Sequence, residues 1–291
     1  MRSARVSPLV ESASLSRSPW VSFWVPAILA VGLYAPVFPG LVGEWMESPN
    51  LSHGFAIPFI AAYLVWARRE RLQALALEPS LWGLPLVVAG LAALVIGVRG
   101  QESFIARLSL PITLAGLTLF LAGWKVIREA WIGIAYLAFM IPLPWTTLKL
   151  ITYRSRMLDA TVSAHALNWL GVPVYQDGVM LHLPNIVLEV ADACSSIPAI
   201  AALLSLGVAY ASVSRRPVPI QIGLIAATLP LAITANIIRI TSVAWAAYYV
   251  GPWTLRTSYH MFNGTVNFMF TFILLVLLDT ALSRAYRRGQ R

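Results

Sequence analysis

The sequence predicts an all-α polytopic membrane protein of about eight transmembrane helices, with a small amphipathic helix and a β-hairpin-like segment on the outer face. Three observations lead there. The 291 residues are 58% hydrophobic and only 11% charged, against roughly 25% charged in a soluble domain. The apolar residues fall in blocks of about 20, the length a helix needs to cross a bilayer. Basic residues cluster between alternate blocks, which is the positive-inside pattern. The net charge of +9 is therefore read as a topology signal, and nucleic-acid binding is excluded.

The chain is read as one integral membrane domain, 1–291. Its first apolar block, 20–42, follows a polar, basic stretch and contains Pro26, Pro36 and Pro39. It offers no small-residue cleavage site and is expected to be a retained span rather than a signal peptide. Further spans are expected at 51–67, 81–98, 108–124, 130–150, 194–213, 218–238 and 262–282. The seventh has the least defined outer end, since apolar residues continue through Trp245 to Val250.

With both termini cytoplasmic, the inner segments hold Arg68, Arg69, Arg71, Lys125, Arg128, Arg215, Arg216 and the basic residues of both chain ends. The outer segments hold Arg99, Arg107, Lys149, Arg154, Arg156, Arg239 and Arg256, matched by an equal number of acidic residues. This split assigns the excess positive charge to the inside and places the protein in the inner (plasma) membrane.

The outer-face segment is 151–193. Tyr153 to Leu170 carries Met157, Leu158, Val162, Leu167 and Leu170 at three- and four-residue spacing, with Arg154, Arg156 and Asp159 among them. That pattern predicts an amphipathic helix lying on the membrane surface. Beyond it, Val172 to Val190 alternates, punctuated by Gly178, Pro184 and Asn185, and predicts two short strands.

Three polar residues fall at one depth. Cys194 opens the sixth span, which reaches Arg215 after about 30 Å of helix. Arg239 follows the inner start of the seventh span by a similar length, and His260 precedes the eighth. The chain's single cysteine admits no intramolecular disulfide; such a thiol is either a buried small residue or a reactive group. A thiolate is a strong nucleophile and a nearby cation lowers its pKa. An imidazole moves protons to and from it, and a guanidinium stabilises the oxyanion formed on a carbonyl. Cys194, Arg239 and His260 together suit acyl transfer through a thioester. Supporting candidates are Asn236, one turn before Arg239; Asn263, on the His260 face with Asn267; Asp192, beside the cysteine with Glu189; and His53, at the outer start of the second span. No second Cys or dense His and carboxylate cluster points to a metal, so neither metal nor cofactor is expected.

The same residues carry a resemblance. Glu189-Val-Ala-Asp-Ala-Cys194-Ser-Ser-Ile197, Asn236-Ile-Ile-Arg239-Ile240, His260 and the earlier Ser52-His53-Gly54 region resemble the motifs of the exosortase/archaeosortase family. The likeness runs from about 45 to 282. Relatives often carry Gly where this chain has Ser196. The resemblance implies a membrane-embedded cysteine transpeptidase acting on exported proteins. Their C-terminal tail has a short motif (often Pro-Glu-Pro in bacteria), one transmembrane helix and a basic cluster. It implies Cys194 as nucleophile, Arg239 as oxyanion or thiolate stabiliser and His260 as acid/base, at the outer (periplasmic) face. The expected partners are those tailed proteins, the lipid bilayer, and an acceptor: a glycan or lipid amine, or water. Rival readings are a transporter, which would put polar groups near the bilayer midplane; a non-catalytic membrane scaffold in a secretion or exopolysaccharide system; and a cysteine acyltransferase moving other acyl groups.

Overall fold

The computed structural model describes residue 26 and the stretches 28–190, 196–214, 216–255 and 257–289, without the side chains of 257–263 and a few other positions. Its elements are α1 (Phe38–Glu47), a 3-10 turn (Pro49–Phe55), α2 (Ile57–Trp66), α3 (Arg69–Ala74), α4 (Gly83–Arg99), α5 (Ser103–Ala122), α6 (Trp124–Tyr136), a second 3-10 turn (Leu137–Met140), α7 (Trp145–Trp169), β1 (Tyr175–Asp177), β2 (Met180–Leu183), β3 (Ile186–Glu189), α8 (Ser196–Val213), α9 (Val218–Tyr249), a third 3-10 turn (Pro252–Leu255) and α10 (Thr257–Gly289). The protein is mostly helical. Against the eight spans expected, three helical stretches among the described residues are long and apolar enough to cross a membrane: Ser103–Ala122, Val218–Tyr249 and Gly264–Tyr286. Leu51–Trp66, Gly83–Arg99 and Ala199–Val213 are shorter apolar helices.

Close packing of small residues builds the first half. Gly83, Gly90 and Gly97 recur every seven residues on α4 and are all buried against α5. A Cβ at any of them would overlap α5, at Phe120, Thr113 or Ala106. In lipid, where no hydrophobic force drives helices together, such small-residue seams let backbones approach and gain dispersion contacts. Gly123 closes α5 with φ 89°, a conformation L side chains avoid. The adjacent strand-like segment donates Glu78 N–H to Ala122 C=O (3.2 Å) and Ser80 N–H to Phe120 C=O (3.2 Å), satisfying carbonyls at the helix end.

The first core gathers Tyr34, Leu41, Trp45, Ile57, Leu64, Leu110, Tyr136 and Met140. Trp45 is buried, and its indole N–H donates to Met140 C=O at 3.0 Å. Arg107, on α5, is 5% exposed and forms a two-pronged pair with Glu44 at 2.7 and 2.8 Å. At the opposite end, Arg216 meets Asp279 at 3.0 Å, and Tyr210 O–H donates to the same carboxylate oxygen at 2.9 Å.

The second half departs from the sequence expectation in four ways. The block 130–150 is not one helix: α6 ends at Tyr136, a 3-10 turn follows, and α7 begins only after Pro142 and Pro144. Proline disfavours helix at the preceding residue and lacks the donor a helix needs.

The helix expected from Tyr153 starts earlier, at Trp145. Leu158 (50%) and Val162 (39%) are exposed, whereas Asp159, Ala160, Ser163, Ala164 and Leu167 are buried. The small residues face inward because they let α7 approach α9 closely, the membrane rather than the soluble pattern.

The expected two-strand hairpin is a three-stranded antiparallel sheet, order β1-β2-β3. In it Tyr175 pairs with His182 and Leu183 with Ile186.

Finally, α9 runs 32 residues, about 48 Å, far beyond a bilayer core of about 30 Å. Its extra turns bury Ile240 and Ala244 in a second core with Ala160, Leu167, Val172, Leu181, Leu183 and Val190. Arg239 therefore lies within a helix rather than at its end.

A candidate active site around a buried carboxylate

The site is organised by Asp159, which is 0% exposed. Ser196, the first residue of α8, donates its backbone N–H to Asp159 Oδ2 at 2.9 Å. Its hydroxyl lies 2.6 Å from both carboxylate oxygens. Asn236, on α9, donates its amide N–H to Oδ2 at 3.0 Å. Ser155, one turn earlier on α7, adds its hydroxyl at 3.4 Å and lies 3.2 Å from the Ser196 hydroxyl. A carboxylate at the first turn of a helix satisfies an otherwise orphaned N–H and complements the helix dipole. Here another helix supplies it. Burial pushes the Asp159 carboxyl above its ordinary value, while the Ser196, Asn236 and Ser155 donors pull it back.

Three residues before Asp159 on the same helix face, Arg156 donates Nε–H to Val190 C=O and Nη2–H to Glu189 Oε1 at 2.9 Å. Val190 directly follows β3 and precedes the segment with the cysteine, and Ser196 begins the helix after it. Arg156 has a side chain only 11% exposed.

Arg239 is half-buried on α9. Its guanidinium packs over Gly264 of α10: a Cβ built there would sit 3.9 Å from Cζ and 4.0 Å from Nε. Gly264 lies one helical turn beyond His260. One turn further, Asn267 donates its amide to Ala235 C=O at 2.9 Å, which locks α10 to α9 beside Asn236.

The expected site residues are thus distributed as follows. Cys194 and Asp192 lie outside the described residues. The backbones of His260 and Asn263 belong to the start of α10; their side chains are not described. Arg239 and Asn236 come together with α10 and with Asp159. Glu189 pairs with Arg156. His53 is half-buried in the 3-10 turn beside Trp45, and that turn packs on α1, α2 and α8.

Asp159, Arg156 and Gly264 were not read as site residues from the sequence, and Ser196 stood out only as a departure from the family motif. The legible signal for Asp159 was an acidic residue beside Ala160, Ser163 and Ala164: a charge on a small-residue face.

Fold and site together define a helical integral membrane protein with a polar cluster between α7, α8, α9 and α10. A family model of the transmembrane exosortases (Exosortase_EpsH) matches residues 45–277, and the chain belongs to this family. No curated protein matches it, and no solved structure does.

Proposed function

We propose that this exosortase is a cysteine transpeptidase that cleaves the C-terminal sorting tail of exported proteins at the outer face of the inner membrane. One observation carries the reading: the segments bearing the three motif residues converge. Asp159 ties Ser196, two residues after Cys194, to Asn236, one turn before Arg239. Arg239 in turn lies against Gly264, one turn after His260. Covalent geometry holds the Cys194 Cα within about 7 Å of the Ser196 Cα.

In the proposed reaction the Cys194 thiolate, formed by proton transfer to His260, attacks the carbonyl carbon of the scissile peptide bond. Arg239 donates hydrogen bonds to the resulting oxyanion. Collapse expels the tail's amine, which takes the proton from His260, and leaves the exported protein as a thioester on Cys194. An acceptor amine or water, deprotonated by His260, attacks the thioester carbon and restores the thiol. The tail's transmembrane helix, packed against the bundle, holds the bond in place; orientation of this kind supplies much of an enzyme's rate. This reading uses eight membrane crossings, cytoplasmic termini and an outer site, with no metal or cofactor.

The test replaces Cys194 with Ala in the native host and compares C-terminal peptides by mass spectrometry. Proteins that keep a motif, helix and basic cluster only in the variant, at equal enzyme abundance, support the peptidase and reveal the motif. Unchanged tails leave a scaffold or transporter as the better account.

A further inference from the structure

Val190 and Ser196, the described residues on either side of 191–195, are both held by one helix. On α7, Arg156 holds the C=O of Val190 before the segment, and Asp159 holds the N–H of Ser196 after it. The two side chains stand three residues apart, on one face of the helix. Asp159 also takes the amide of Asn236, which sits about 4.5 Å along α9 from Arg239. One buried carboxylate therefore joins the start of the cysteine's helix to the arginine's helix. A purely structural joint at this depth needs no ion; a well-packed apolar contact serves as well. What a carboxylate adds is direction, since its two oxygens accept only at set angles and so fix where α8 begins.

We infer that α7 is a clamp for the nucleophile, with Asp159 and Arg156 as positioning residues that set Cys194 against Arg239 and His260. The clamp rests on the transpeptidase reading above. The Ser196 hydroxyl gives the carboxylate a further donor.

Cys194 is the only cysteine, so its reactivity is directly measurable. The full-length protein, purified in detergent micelles, is treated with iodoacetamide and the alkylation rate followed against pH. The charged groups at the ends of the segment are Arg156 and Asp159 from α7 and Glu189 from β3; Asp192 belongs to the segment itself, Arg239 stands on α9 beyond Asn236, and His260 belongs to the first turn of α10.

If the clamp sets the thiol beside its cations, the wild-type midpoint lies below the free-thiol value of about 8.5. Asp159→Ala then raises it by about one unit or more. Asp159→Asn leaves it near wild type. The amide oxygen replaces Oδ2, and its NH2 faces the Ser196 hydroxyl, which turns its proton to Ser155. A carboxylate acting only as a nearby charge gives the opposite sign, because neutralising it by either substitution lowers the midpoint. Equal or downward shifts in the two variants therefore overturn the clamp.

If Asp159→Ala does not fold, Arg156→Lys serves, keeping the cation but losing the two-pronged hold. An unmoved midpoint there also overturns the clamp. A depressed wild-type midpoint that Asp159→Ala leaves untouched removes the clamp alone. A wild-type midpoint at the free-thiol value removes the activated nucleophile, and with it both readings.

Discussion

Gly54, the last residue of the Ser52-His53-Gly54 motif, is fixed by packing, and its replacement by Ala tests how. A Cβ at Gly54 would lie 2.6 Å from Trp45 Cε2 and 2.7 Å from Cδ1, and closer still to Nε1. The obstacle is a rigid, buried indole, not a flexible side-chain tip. To reach ordinary contact the ring must move by about 1 Å, and three things hold it: burial in the first core, the hydrogen bond to Met140 C=O at 3.0 Å, and an edge contact with Phe55 at 5.1 Å between centroids. Forcing a methyl into a packed core costs about 1–3 kcal/mol. Leaving the buried Met140 carbonyl without its donor adds about 1–2 kcal/mol. The sum, about 2–5 kcal/mol, corresponds to a fall in Tm of roughly 4–10 °C at about 2 °C per kcal/mol. Thermal unfolding of the purified protein in detergent measures it, with Trp45→Phe as partner in a double-mutant cycle. The smaller ring leaves room for the methyl, so the double variant should be less destabilised than the two single variants combined. A Tm within 1 °C of wild type (about the scatter expected of such a measurement), or strict additivity with Trp45→Phe, would refute this account of the motif's glycine.

Two more outcomes follow from the site. Gly264→Ala should leave tail cleavage within about twofold of wild type, because its methyl meets Arg239 at an ordinary 3.9 Å. Gly264→Leu fills the guanidinium's place and should cut cleavage by about 100-fold in a protein that still folds; the substrates exposed by Cys194→Ala supply the assay, and equal activity of the two variants would sink the placement. Because burial raises the Asp159 carboxyl above its ordinary 3.8, its contribution to stability is fully present below 3.8 and lost as pH rises through the folded value. The Tm of the wild type relative to Asp159→Asn should therefore rise as pH falls from 7 toward 4, and a gap that stays constant or narrows counts against a raised value.

Much was determined by the sequence alone. Apolar blocks of bilayer length, and charge gathered between them, require a helical membrane protein, because lipid leaves backbone groups no partner outside a helix or closed barrel. The motifs around Cys194, Arg239 and His260 were legible as a likeness to the exosortases, the family to which the chain belongs. Other features depended on contacts between residues distant in the chain. The sequence gives α7 an apolar face with Leu158 and Val162, but not the inward face that Asp159, Ala160, Ser163 and Ala164 form, because that face is set by close helix contact, which demands small residues. Arg239 reads as the end of a span, yet α9 continues because Ile240 and Ala244 find a second core against the sheet. Asp159 reads as a surface charge. Only the tertiary structure brings it the hydrogen-bond donors of Ser196 and Asn236, 37 and 77 residues away, and a carboxylate is buried only where such donors replace water.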